Sequence, residues 1–118
     1  VDASIFDKVL DHLYKKLSFI YLCTITGLDD GDLLSFIYEL SQHDGILLSL
    51  KTSVPKTRPV LKTVTPYFSC ADVYERELID LFGAQVEGLP AGHRYPLTDD
   101  WPKGQFPLRK DWTPELLK

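Results

Sequence analysis

The spacing of apolar and polar residues divides the first 88 positions into two helices and a set of strands. Ile5, Val9 and Leu13 recur four apart, with Phe6, Leu10 and Leu17 beside them, so residues 5–17 are predicted to form a helix with a core-facing stripe. Ser4, with Asp7 three residues on, resembles a capping box at its start. Phe19 to Thr26 is aromatic and β-branched, which predicts a strand, and Gly27 to Gly31 close it with turn residues. Residues 33–41 fit either period: Leu33, Leu34, Ile37 and Tyr38 suit a helix, while Leu34, Phe36, Tyr38 and Leu40 alternate as in a strand. The next segment decides. Asp44-Gly45 is a tight-hairpin signal and needs a strand before it. Beyond it Ile46, Leu48, Leu50 and Thr52 alternate with Leu47, Ser49, Lys51 and Ser53. The pattern therefore predicts three antiparallel strands, at 19–26, 33–41 and 46–54.

Pro55, Pro59 and Pro66 keep the following stretch extended, with Val60 to Val64 suited to an edge strand. Ser69 and Asp72 resemble a second capping box, opening a helix through Phe82. Gly83 is the residue expected just past its end, and Gln85 to Glu87 fit a short strand. From Leu89 the character changes. Five of the eight prolines and both tryptophans, Trp101 and Trp112, lie there. The expected fold class is α+β: two layers, helices packed on a mostly antiparallel sheet, with residues 1–88 as the compact domain. Residues 89–118 form an extended Pro/Trp-rich C-terminal arm that lies on the domain, on a partner, or on both.

Composition narrows the function. A chain of 118 residues supports one domain with a modest core. No apolar run approaches the length of a membrane span, so membrane association is expected only through partners. The net charge of −4, without a basic patch, argues against nucleic-acid binding. Cys23 and Cys70 form no C-x-x-C motif, and His12, His43 and His93 have no ligand spacing with them. No metal or cofactor site is expected in this chain. Cys23, inside an apolar run, reads as a buried small hydrophobe.

The densest chemistry lies on the second helix. At 100° per residue, Val73, Tyr74, Leu78, Leu81 and Phe82 fall on one half, and Ile79 extends it. Arg76, Asp72 and Asp80 cluster opposite, where Arg76 can pair with both acids. Glu75 and Glu77 fall at the margins of the apolar face, and a carboxylate there needs a partner. Three readings are open. The partners are basic residues of the same chain, such as Arg94 or Arg109; or a neighbouring subunit supplies them; or the two acids form a general acid–base pair. No nucleophile, metal set or phosphate cradle accompanies them.

Two separated motifs carry a resemblance. Ala71-Asp72-Val73-Tyr74-Glu75-Arg76-Glu77 with Asp80-Leu81-Phe82-Gly83, followed by Pro107-Leu108-Arg109-Lys110-Asp111, resembles the 30 kDa subunit of respiratory NADH:quinone oxidoreductase, complex I. The matching subunit of membrane-bound, energy-converting nickel–iron hydrogenases is at least as similar. The resemblance is specific over residues 71–112 and weaker over 19–70, and Leu89 to Tyr95 depart from the complex I pattern. It implies an α+β domain with a C-terminal arm and no redox centre. It also implies a place in the peripheral arm of the complex, on the cytoplasmic side of the membrane. The partners would be the large subunit that frames the quinone or nickel–iron site and the small iron–sulfur subunit.

Carried onto this chain, the partner-facing residues are Glu75, Arg76, Glu77 and Asp80 on the helix, and Pro107, Leu108, Arg109, Lys110 and Asp111 on the arm. Trp101, Phe106 and Trp112 would supply apolar anchors, and Arg94, Arg109 and Lys110 charge-assisted hydrogen bonds. The expected function is a non-catalytic structural subunit that docks the catalytic one. The alternatives are a small stand-alone enzyme using Glu75 and Glu77, and a scaffold that self-associates through the arm.

Overall fold

Leu34, Phe36, Tyr38 and Leu40 show how the core is built: each is 1% exposed or less. They alternate along β2 (Leu33–Ser41), the middle strand of an antiparallel sheet between β1 (Tyr21–Asp29) and β3 (Leu47–Pro55). The structure is a computed structural model and describes residues 1–90, 92, 95–98 and 100–117. In the sheet register Tyr38 lies between Ile25 and Leu50, so the inward residues of all three strands form one apolar face. The outward face is polar and includes Glu39, which accepts from Ser49 Oγ at 2.7 Å.

α1 (Phe6–Lys15) covers the apolar face with Phe6 and Leu10, and the Phe6 ring meets Tyr38 at 4.8 Å between centroids. α2 (Ala71–Phe82) adds Ala71, Leu78 and Phe82 to the same core. Before and after α2 run β4 (Val60–Lys62) and β5 (Gln85–Glu87), paired with each other in parallel as a second small sheet. A helix between two strands is the connection that parallel pairing requires. The expected α+β class and the antiparallel three-strand sheet are both present. Beyond Glu87 the described residues hold turns and one 3-10 turn at Pro114–Leu117.

Several boundaries differ from expectation, each for a local reason. Ala3–Ile5 is a separate 3-10 turn, capped by Asp2, whose carboxylate accepts from Ser4 N at 2.9 Å. Ser4 is therefore not the cap. The tighter winding takes Ile5 off the helical stripe, and Leu17 falls beyond the helix end, so both are exposed. β1 does not stop at Thr26. It runs through Gly27, where a Cβ would lie 2.5 Å from the Phe82 ring, so this glycine admits α2 to the sheet and makes no turn. Cys23 is exposed, not buried: the register shifts between Leu22 and Thr24 and leaves it on a bulge. At α2 the cap position is Cys70, without a side-chain cap bond, so the Ser69 capping box does not form.

Candidate functional site

The helix α2 buries a different stripe from the one expected. Ala71, Glu75, Leu78 and Phe82 are buried, spaced four, three and four apart, while Val73 is 45% exposed. Glu75 therefore sits at the centre of the buried face and not at its margin. Its carboxylate accepts from Thr63 Oγ1 at 2.6 Å and from Val64 N at 2.9 Å. Its partners among the described residues are a hydroxyl and a backbone amide of the same chain, with no Arg or Lys among them. Burial pushes its pKa up, and these two hydrogen bonds pull against that.

Glu77 points elsewhere, about 200° around a helix of 3.6 residues per turn. It is half-buried and makes no hydrogen bond or ion pair among the described residues. The two carboxylates do not converge, so the acid–base pair is not assembled. Arg76 reaches the carbonyl of Pro90 instead of Asp72, whose carboxylate accepts from Val73 N. Asp80, expected on the polar side, is 6% exposed and accepts from Leu97 N at 3.1 Å.

The other end of α2 carries the second motif. A helix leaves its last four carbonyls without intrahelical donors. Here Gly83, at φ +78°, turns the chain so that its N–H reaches Ile79 O, and Ala84 N follows onto Leu78 O. Two further carbonyls are met from the C-terminal segment: Leu108 N donates to Leu81 O at 3.0 Å, and Arg109 Nε donates to Phe82 O at 2.6 Å. A cation at a helix C-terminus also complements the helix dipole. The same guanidinium lies 4.9 Å from the centroid of the Phe106 ring. Pro107-Leu108-Arg109 thus closes α2.

The next residues dock onto the first hairpin. Asp29, at the end of β1, accepts from Lys110 N at 2.7 Å, Lys56 Nζ at 2.6 Å and Gly31 N at 3.0 Å. Lys56, more than any other group, lowers the Asp29 pKa to about 2, and the two backbone amides help. Lys56 also stands 3.8 Å from the exposed Asp111 carboxylate. Trp101 and Trp112 lie with ring centroids 5.8 Å apart and share Gln105: Trp101 Nε1 donates to its backbone oxygen and Trp112 Nε1 to its side-chain oxygen. Arg94 lies outside the described residues.

The expected arm residues therefore split. Arg109 and the backbone of Leu108 and Lys110 are used within the chain. The side chains of Leu108, Lys110 and Asp111 point outward, and Leu108 is 51% exposed. Beside them stands Leu28, 39% exposed on β1, which with Gly27, Phe82, Leu108 and Lys110 lines a shallow cleft. Sequence reasoning missed Leu28, Asp29 and Lys56. The signal for Leu28 is a glycine-preceded Leu at the end of an apolar run, which also reads as a turn. Among the described residues no group of three or more His, Cys, Asp or Glu is placed to hold a metal ion, and no helix is long and apolar enough to cross a membrane.

Known proteins are similar to this chain in sequence and in fold. The chain is 32% identical over 115 residues to a subunit, lettered C, of the F(420)H(2) dehydrogenase of Methanosarcina mazei; the match covers 95% of this chain and 72% of that one. It is 34% identical over 87 residues to membrane-bound hydrogenase subunit beta of Pyrococcus furiosus, covering 70% of this chain and 50% of the relative. It is 33% identical over 128 residues to the NADH-quinone oxidoreductase polypeptide C/D of Bacteroides thetaiotaomicron, covering 98% of this chain and 24% of the relative. The chain thus spans half or less of the length of the last two.

Among solved structures it is similar to a trypsin-resistant fragment of Nqo5, with TM-score 0.69 and 32% identity over 78% of this chain and 79% of that one. It is also similar to a chain of the membrane-bound sulfane sulfur reductase, an archaeal respiratory membrane complex. There the TM-score is 0.86 and the identity 25%, over 99% of this chain and 71% of that one. These relatives are subunits of respiratory and hydrogenase complexes, and the identities run evenly across both branches. The family model described as respiratory-chain NADH dehydrogenase, 30 Kd subunit, matches residues 1–115, and the chain belongs to that family.

Proposed function

We propose that the chain is a structural subunit of the peripheral arm of a membrane-associated, ion-translocating redox complex, where it docks the large catalytic subunit. One observation carries the reading. The segment 107–111 uses its backbone and Arg109 to close α2 and to reach Asp29, and so holds the Leu108 and Lys110 side chains outward next to Leu28. A rigid turn presenting an exposed leucine and a cation suits a protein interface, because little ordering cost is left for binding. The relative named C/D supports a partner subunit in the same complex: this region makes up about a quarter of a polypeptide whose name joins two subunit letters. In this reading the chain carries no redox centre of its own. It sits on the cytoplasmic side, reaches the membrane only through partners, and also lies near the small iron–sulfur subunit. Trp101, Phe106 and Trp112 keep the presenting segment in shape more than they touch the partner.

The test is co-purification of the assembled complex from cells that express a tagged copy of this chain. Leu108→Asp with Lys110→Glu, which leaves the backbone bonds intact, is expected to lose the large subunit. Truncation after Gly88 is expected to do the same. Full recovery of the large subunit with the double variant would overturn the docking assignment. Far-UV circular dichroism of the variant checks that the fold survives.

A further inference from the structure

A second site shares no lining residue with the docking cleft. Between the inward face of β2–β3 and the β4–β5 pair, under the start of α1, is a cavity of about 200 Å³. Phe6 and Leu61 form part of its apolar wall. Tyr38 and Thr52 also line it; they stand on adjacent strands, Tyr38 opposite Leu50 and Thr52 opposite Phe36. Both side chains are at least 98% buried, and neither hydroxyl has a hydrogen-bond partner among the described residues. They are two buried orphan hydroxyls on one small cavity. Its rim is charged: Asp7 and Lys62, an ion pair at 2.9 Å, both line it.

We propose that this cavity is a specific hydration site, in which a small cluster of ordered water bridges Tyr38 Oη and Thr52 Oγ1 and continues to the Asp7 carboxylate. The chemistry selects water over other occupants. Each hydroxyl both donates and accepts, the carboxylate accepts, and a buried water needs two to four such partners. The volume is below that of pockets that take cofactors or drug-sized molecules. A purely apolar occupant would leave both hydroxyls unmet, at the cost that makes unpaired buried polar groups rare. Burial first, then the carboxylates of Glu75 and Asp7, push the Tyr38 pKa up, so it remains a neutral hydroxyl able to donate. The site would join the three-stranded sheet to the start of α1 through hydrogen bonds where side chains alone leave a gap.

The sign of a stability change decides the matter. Thr52→Val and Tyr38→Phe each remove one hydroxyl with almost no change of shape. If water bridges the two, each variant of the full chain melts lower, by about 3 °C for a domain of this size. The double variant then falls by less than the two single shifts together, because the shared water is already lost in either one. If the hydroxyls are simply orphaned, removing them raises the melting temperature, and the hydration site is excluded. Water-to-protein nuclear Overhauser contacts at the Thr52 methyl protons and at the Tyr38 ring protons beside its hydroxyl are expected in the native chain. Their absence would also overturn the proposal. The measurement touches none of the docking residues, so its failure leaves the docking reading unaffected.

Discussion

β2 and the segment after Gly104 both carry large apolar side chains, yet they treat them differently. Leu34, Phe36, Tyr38 and Leu40 are sealed at 1% exposure or less, whereas Leu108 is 51% and Leu116 54% exposed. The body is held by apolar burial from both helices. The C-terminal segment is held by polar bonds to specific atoms: two helix-end carbonyls and one aspartate. Apolar burial tolerates small shifts, because it scales with area. Hydrogen bonds to a helix end do not, because they need distance and direction. A segment placed by such bonds keeps its apolar side chains available, which an interface requires and a folding core forbids.

The same contrast appears in two buried carboxylates. Glu75 in the body has uncharged partners, and its pKa is pushed up by burial. Asp29 under the segment has Lys56, and its pKa is pulled down. The largest effect expected from breaking either region comes from Glu75. Glu75→Ala removes the acceptor that meets the buried Val64 N–H and opens a cavity under α2. It should cost about 3 kcal/mol, a large share of the stability of a domain this size. Glu75→Gln, which keeps an acceptor, should cost less than half as much. Urea unfolding followed by circular dichroism measures both. Equal costs for the two variants would show that the acceptor does not matter.

Gly83 comes next, because it sits where body and segment meet. Its φ of +78° strains any residue with a Cβ, and that Cβ would stand 2.6 Å from the Phe106 ring. Gly83→Ala is expected to cost about 2 kcal/mol, from the backbone conformation and from displacing Phe106. Trp112 lies in the segment, and Trp101, just before it, packs on Trp112 and bonds to Gln105, so tryptophan fluorescence reports on the segment while far-UV circular dichroism reports on the body. The variant should change the fluorescence in native buffer and leave the dichroism nearly unchanged. Unaltered fluorescence would mean that the segment is not positioned through Gly83.

The two regions also differ in how much of them the sequence declared. The sheet was legible because alternation is a local signal, and Asp44-Gly45 resolved the ambiguity at 33–41. The helix ends at Phe82 and Gly83 were legible for the same reason. Gly27 was not: a glycine that admits a neighbouring ring looks, in sequence, like a glycine in a turn. Glu75 was misplaced because its partners, Thr63 and Val64, lie in a proline-flanked stretch with no periodicity to tie them to α2. The segment's motif was found, but the bonds of Leu108 and Arg109 to the end of α2 were not, since the unmet carbonyls of Leu81 and Phe82 leave no mark in the sequence. Long-range polar bonds are what pattern reading misses, and they are what hold the candidate docking surface.

Asp29 gives the smallest and most selective test. Its folded pKa of about 2 lies below the usual value of 3.8, so the stability it contributes is fully present above pH 3.8 and lost as the pH falls towards 2. Glu75 has the opposite sign: its raised folded pKa means that its contribution is complete below the usual value of 4.5 and is lost as the pH rises through the raised value. Acidification from neutrality to about pH 4 therefore favours the body through Glu75 and leaves Asp29 ionised. Below that, Asp29 takes up a proton and loosens its hold on Lys56 and Lys110. Tryptophan fluorescence is expected to change between pH 4 and 2 ahead of the far-UV dichroism. Asp29→Asn, which keeps one acceptor oxygen but no charge, should cost about 1 kcal/mol at neutral pH and flatten this early fluorescence step. If the step survives in Asp29→Asn, some other carboxylate fastens the segment, and the contrast between an apolar body and a charge-fastened arm must be redrawn around it.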